Sequence, residues 1–272
     1  MTSSELVELA SVDGRITPTG EATLPLPDDG LYRGDGVFEV ARLYGGRPFA
    51  MKEHWDRLER SAASIGLQVD RPALEAELEP LLEEAGEVEA NLRVVVTRGG
   101  RRLLLIEKPF PYADSASVAT ITYQPTVILN VVKSLSYAAN MHATRIAKER
   151  GADEAILVTP DGIVLEAPTS SLFWADGNGT LKTPSLENPI LDSITRDRVV
   201  RALDVEEGVY ELSDFESATE AFMASTGREV QPISAIDGRE LEWPGPQTEK
   251  AMEAFRSAVE SELGAPSAGG AR

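Results

Sequence analysis

The chain has 272 residues, enough for one large domain or two modest ones, with 42% hydrophobic and 26% charged residues, an ordinary globular balance. The formal net charge of −19 argues against nucleic acid and against an anionic membrane surface as partners. Absent cysteine rules out disulfides, a thiolate nucleophile and a cysteine metal site, and two histidines, His54 and His142, leave little for zinc.

No apolar run is long enough to span a bilayer, and the opening MTSSELVELA lacks the basic region of a signal peptide. A soluble cytoplasmic protein without metal is the expectation. In chain order, VFEVARLY reads as a strand, and Gly45–Gly46 marks a hairpin turn. KEHWDRLERSAASIG follows with Trp55, Leu58, Ala62 and Ile65 at helical spacing and Gly66 as its stop. RPALEAELEPLLEEAG is a second amphipathic helix. ANLRVVVTRG and RRLLLIEKP read as paired strands around a glycine turn.

PYADSAS is polar and reads as a linker before the strand VATITY. ILNVV reads as a short buried strand, and LSYAANMHATRIAKERG as a helix ending at Gly151. EAILVTPDGIVLEAPTSSLFWADGNGTLKTP reads as strands joined by tight turns, with Asp161–Gly162 a hairpin signal. SITRDRVVRALD reads as a helix, EAFMASTGREVQPI as strand, turn and strand, and EKAMEAFRSAVESEL as a last helix. The expected organisation is an α/β (α+β) fold: a small N-terminal α/β domain over residues 1–112, a linker over 113–119, a larger domain over 120–263 and a disordered tail over 264–272.

Of the six lysines, only Lys133 follows an apolar run. A lysine at a strand end usually snorkels to water. A lysine desolvated by such a run instead becomes a nucleophile toward aldehydes. Pyridoxal phosphate, an aldehyde cofactor, would need a carboxylate at its ring nitrogen, backbone N–H groups and an arginine at its phosphate, and a donor at its phenolic oxygen. The chain offers Glu166, the helix opening Ser193-Ile194-Thr195, Arg57 and Tyr137. Singly, each has an ordinary explanation: an edge-strand glutamate, a plain N-cap, a surface ion pair, an incidental aromatic. Tyr137 stands one helical turn past Lys133, a spacing that would point both the same way.

KSLSYAANMHATRIAKERGADEAILVTPDGIVLEAPTSSLFW followed by ILDSITRDRVV resembles the fold-type IV, class IV aminotransferases. That group includes branched-chain and D-amino acid aminotransferases, (R)-amine transaminases and aminodeoxychorismate lyase. GDGVFEVARLYGG, EHWDRLERSA and EAFMASTGREVQPISAIDG match in the same order. The resemblance implies a pyridoxal 5′-phosphate enzyme with Lys133 as Schiff-base lysine and proton shuttle. It implies Glu166 at the pyridine nitrogen, Tyr137 at the phenolic oxygen and Leu191 packed on the ring. Arg57, Ile194, Thr195, Thr226 and Gly227 would hold the phosphate. A small α/β domain and a larger barrel-like domain would enclose the cofactor, in a homodimer whose Tyr32–Arg33 loop reaches a neighbour's site.

The sequence departs from subfamily patterns. Ser171 stands where the family often has Asn, Arg33 where branched-chain enzymes carry an aromatic, and Asn91 where they carry a tyrosine. The loop TRGGRRLLL lacks the Arg-x-His trap of familiar D-amino acid enzymes. Arg33, Asn91, Arg93 and Arg228 are the substrate-binding candidates, because a guanidinium binds a carboxylate bidentately. This set favours a ping-pong transaminase acting on a D-amino acid and a keto acid such as 2-oxoglutarate or pyruvate. An L-branched-chain transaminase and aminodeoxychorismate lyase are the alternatives.

Overall fold

A computed structural model describes residues 7–264. The expected tail lies almost wholly outside the described residues. The described residues divide into two compact units: residues 7–110 with 132–136 and 259–264, and residues 111–131 with 137–258.

The first unit is built from β1 (Leu9–Val12), β2 (Arg15–Pro18), α1 (Asp29–Arg33), β3 (Gly36–Tyr44), β4 (Arg47–Pro48), α2 (Met51–Ser64), α3 (Arg71–Ala85), β5 (Ala90–Thr97) and β6 (Arg102–Glu107). Its six strands form an antiparallel sheet in the order β2-β1-β6-β5-β3-β4. Alternation divides the faces. Val37, Ala41 and Leu43 of β3, Leu92, Val94 and Val96 of β5, and Leu104 and Ile106 of β6 pack against Trp55, Leu58 and Ala62 of α2 and Leu74, Leu78 and Leu81 of α3. The intervening residues, among them Phe38, Arg93, Val95, Leu103 and Leu105, take the opposite face. At Gly45 and Gly46 both φ values are positive, and a Cβ on Gly46 would stand 2.3 Å from the carbonyl oxygen of Gly86, so the hairpin requires glycine there. Asp28 caps α1 and Asp70 caps α3 through side-chain bonds to Gly30 and Ala73 N–H groups.

The second unit contains β7 (Ala116–Thr122), α4 (Ala138–Glu149), β8 (Glu154–Val158), β9 (Ser171–Ala175), β10 (Leu181–Pro184), α5 (Ile194–Ala202), β11 (Val205–Gly208), α6 (Leu212–Glu216), β12 (Glu220–Ser225), β13 (Glu229–Ile236), β14 (Arg239–Glu240) and most of α7 (Pro246–Leu263). Its sheet runs β11-β10-β9-β12-β13-β7-β8, with β14 on β13, and curls into a half-barrel. Residues expected in the linker enter β7 from Ala116. The hairpin at Asp161–Gly162 forms, with Gly162 N–H donating to the Thr159 carbonyl. The strand-like IVLE bridges β8 to the chain after β11: Leu165 N–H donates to Leu157, and Val164 N–H to Tyr210. Trp174, Phe215, Met223 and Ile233 fill one core, while Ala143 and Ala147 seat α4 on β7 and β8.

Candidate active site

ILNVV is not a buried strand. Val127–Leu129 form a 3₁₀ turn with Val127 86% and Ile128 81% exposed, and Val131 takes a positive φ of 59°. Apolar composition signals burial in general, but Lys133 draws its surroundings from long-range partners instead. Its carbonyl accepts the Phe38 N–H at 3.0 Å, and Leu135 N–H donates to Gly36 at 2.9 Å, so Ser134 bridges Val37 along the free end of β3. A Cβ on Gly36 would stand 2.7 Å from the Leu135 side chain, so glycine permits this approach. Ser134 N–H donates to the Val132 carbonyl at 3.0 Å, which puts Lys133 at the apex of a three-residue turn. Lys133 N–H donates to Ser61 Oγ at 3.2 Å. The Lys133 amine lies 4.5 Å from the centre of the Phe38 ring, within cation–π range.

Behind Phe38 in sequence, Glu39 points to the α2 side of the sheet. Arg57 Nε and Nη2 donate to its two oxygens, both at 2.7 Å, and His54 Nδ1 lies 2.8 Å from Oε2. All three side chains are buried. Burial pushes the Glu39 carboxyl up, but the Arg57 charge and the Arg57 and His54 hydrogen bonds outweigh it and hold the group far below the ordinary carboxylate range. Burial pushes the His54 imidazole down, and Glu39 only partly restores it. A neutral ring that donates from Nδ1–H suits this arrangement. Arg57, expected at a phosphate, thus has two of its nitrogens on Glu39. The sequence reading missed Glu39, Phe38 and Ser61. The i, i+3, i+7 spacing of His54, Arg57 and Ser61 was the available signal.

In the second unit the bridging segment ends at Glu166, whose carbonyl accepts Leu157 N–H and whose Oε1 accepts the Leu191 N–H at 3.0 Å. The Leu191 bond therefore orients the carboxylate of this half-buried residue. Burial and the Glu166 charge together push the Tyr123 phenol up. Three residues after Leu191, α5 begins at Ile194. Ser193 caps it by accepting Arg196 N–H at 3.3 Å, and Thr195 is buried. The first N–H groups of a helix have no partner within it and suit an anion. The same helix packs against β12, whose end carries Ser225 and the Thr226–Gly227 turn. Arg228 N–H donates to Ser225 Oγ at 3.3 Å in that turn. Tyr137 and Lys133 do not share a helix: Tyr137 is the N-cap of α4. The four-residue spacing therefore does not put the two residues on one helix face. Tyr137 Oη donates to the Pro168 carbonyl at 2.9 Å, and Asn140 Nδ2 donates to the same oxygen at 3.2 Å.

The arginines expected to meet substrate are engaged with carboxylates of the chain. Arg228 Nη2 lies 2.6 Å from Glu154 Oε2, both side chains being buried, and Nη1 donates to Gln231. Its guanidinium stacks 4.1 Å from the Tyr112 ring, and Thr144 completes the Glu154 carboxylate at 2.6 Å. This is a structural ion pair, since a buried guanidinium without its carboxylate is too costly. Arg93 pairs bidentately with Glu107 at 2.8 and 2.9 Å, and its guanidinium carbon lies 5.9 Å from the Phe38 ring. Asn91 is buried in β5 and donates to the Lys108 carbonyl at 3.3 Å. Arg33 is 73% exposed, with Asp29 one helical turn away at 2.7 Å, a pairing worth little in water. Beside Arg93, a cleft of about 280 Å³ is lined by Leu31, Val95, Leu103, Leu105 and Leu135. Among the described residues no cluster of His, Asp or Glu could hold a metal.

The chain belongs to the amino-transferase class IV family, which it matches over residues 36–236. Its fold is that of the fold-type IV transaminases. Among its relatives are a putative branched-chain-amino-acid aminotransferase of Methanocaldococcus jannaschii, 35% identical over 90% of this chain and 94% of that one, and a D-alanine aminotransferase of Bacillus licheniformis, 33% identical over 92% and 96%. A PLP-bound hypothetical aminotransferase from Mycobacterium tuberculosis superposes with a TM-score of 0.85 at 25% identity, covering 93% of this chain and 99% of that one.

Proposed function

We propose that the protein is a pyridoxal 5′-phosphate transaminase that moves an amino group from a D-amino acid to a keto acid such as 2-oxoglutarate or pyruvate. The pinned Lys133, its amine laid over Phe38, is the observation that carries the transaminase reading. The donor set fits the cofactor: an amine for its aldehyde, a fixed carboxylate for a protonated ring nitrogen, and helix-start N–H groups for its phosphate. Bound, the cofactor supplies an aldehyde that takes up amines and a protonated ring that draws electrons from the carbon losing its proton.

The chain's residues then divide the work. Lys133 Nζ takes the substrate's α-proton and returns it to the acceptor carbon. Glu166, its carboxylate held by the Leu191 N–H, would keep negative charge at the ring nitrogen, and the Leu191 side chain would pack on the ring. Ile194 and Thr195 N–H groups, with the Thr226–Gly227 turn and the Arg57 guanidinium, would hold the phosphate. With the cofactor bound, Tyr137 would turn its hydroxyl from the Pro168 carbonyl to the phenolic oxygen.

The D-amino acid reading is supported by the D-alanine aminotransferase among the relatives and by Arg33, the one substrate candidate on the exposed surface with only a weak surface pair. A branched-chain L-amino acid reading is favoured by the leucine-lined cleft beside Arg93 and by the 35% identical relative. We also propose a cytoplasmic homodimer. Leu26, Leu31 and Tyr32 in one unit and Val127 and Ile128 in the other are exposed in the single chain, and a second copy would cover such side chains.

The deciding experiment loads the protein with the cofactor and follows its absorbance with D-alanine, D-glutamate and L-leucine in single half-reactions. Conversion by the D-amino acids supports the proposal, and conversion by L-leucine alone rejects its stereochemistry. Pyruvate released from aminodeoxychorismate without a keto-acid acceptor assigns a lyase. A Lys133→Ala protein that still transaminates would overturn the site assignment.

A further inference from the structure

We propose that Ser61 is a positioning residue for Lys133, acting on its main chain rather than on its amine. The inference rests on Lys133 being the cofactor lysine. An amine at the end of four methylenes inherits every freedom of the peptide that carries it. That peptide is entered through Val131, a β-branched residue with φ of 59°, a backbone conformation that such side chains disfavour. The strained entry persists only where the surroundings hold it.

Three bonds do so. Phe38 N–H grips the Lys133 carbonyl, the Val132–Ser134 bond closes the turn, and Ser61 Oγ takes the Lys133 N–H at 3.2 Å. The first comes from β3 and the second is local, while the Ser61 bond ties the turn to α2. Ser61 is buried and stands four residues after Arg57 and seven after His54. The other two bind Glu39, the neighbour of Phe38 on β3. One polar stripe of α2 thus fixes the helix to β3 at Glu39 and fixes the lysine turn at Ser61. A helical serine commonly bonds the carbonyl four residues back, as Ser64 does with Arg60 at 2.9 Å on this same helix. Ser61 accepts from Lys133 instead. Losing that acceptor removes the α2 partner of a half-buried N–H two residues from the strained Val131. The turn then relaxes and the amine leaves its place over Phe38.

The test is Ser61→Ala, which adds no bulk, with Ser61→Thr and Ser61→Val as a near-isosteric pair that differs in the hydroxyl. In the cofactor-loaded protein, Ser61→Ala and Ser61→Val are expected to lower kcat by about tenfold or more with KM little changed, as displacement of a reacting group does. They also move the pH midpoint of the bound cofactor's absorbance, and Ser61→Thr restores both. In the cofactor-free protein, the rate at which an amine-acylating reagent labels Lys133, read by mass spectrometry, shifts in Ala and Val and not in Thr. Wild-type kcat, midpoint and labelling rate in a folded Ser61→Ala protein would overturn the proposal. Borohydride reduction of the wild type separates the two readings: a cofactor adduct on another lysine, or none, rejects Lys133 as the cofactor lysine, whatever the Ser61 variants do.

Discussion

Arg57 and Glu39 meet in a two-pronged, buried ion pair, Nε to Oε1 and Nη2 to Oε2, both at 2.7 Å. The pair ties α2 to β3 directly behind the residues that grip Lys133. Because both charges are out of water, removing one strands the other. Glu39→Gln is expected to cost about 3–5 kcal/mol of unfolding free energy, whereas replacing both partners with apolar residues of similar size costs much less. Urea unfolding of the single and double variants checks this. Equal stability in Glu39→Gln and wild type would show that the pair does not hold α2.

The same cluster sets an acid limit. Glu39 has a folded pKa below its ordinary 4.5, so its contribution is complete above that value and is lost as pH falls below it. His54 is also depressed below its ordinary 6.5, so the unfolded chain takes up that proton first as pH falls. In both cases the unfolded state binds more protons, and stability declines on acidification. The urea midpoint should begin to fall below about pH 6.5 and fall more steeply below about pH 4.5. A His54→Gln protein should lose the first phase and keep the second.

Tyr137 and Asn140 share one acceptor, the Pro168 carbonyl. Asn140 can keep that oxygen paired while the Tyr137 hydrogen serves the cofactor. Tyr137→Phe is therefore expected to weaken cofactor retention about tenfold, the worth of one charge-assisted hydrogen bond, with stability changed by about 1 kcal/mol or less. Equilibrium dialysis against free cofactor and thermal unfolding report the two quantities. Unchanged retention would remove Tyr137 from the cofactor contacts.

Arg228 separates structure from specificity. Its buried pair with Glu154 predicts that Arg228→Met loses about 3–5 kcal/mol of stability. The ratio of rates on acidic and aliphatic amino donors should stay as in the wild type. A stable Arg228→Met protein with an altered ratio would return Arg228 to the substrate site.

Elements with a strong local signature were legible. The apolar spacing of Trp55, Leu58 and Ala62 gave α2, the Gly45–Gly46 pair gave its hairpin, and Ser193 marked the start of α5. Each signal is carried within a few residues of where it acts. The first hairpin, β1 and β2 around Asp13–Gly14, passed unread although its turn pair is equally local. ILNVV misled because apolar composition reports a tendency to be buried but not what does the burying.

The sequence by itself determined which chemistries were available: a lone lysine after an apolar run, an acid after IVL, a serine-capped helix and many guanidiniums. Only the tertiary structure decided how each was used. Ser61 lies 72 residues from Lys133, Glu39 18 from Arg57 and Glu154 74 from Arg228. No periodicity spans such separations. A hydrogen bond or ion pair is decided by the few ångströms between its atoms, and those distances exist only once the sheets have set their registers. Residue type fixed what Lys133 and Arg228 could do, and the partner each met fixed what it does: one amine laid over an aromatic ring, one guanidinium committed to a carboxylate.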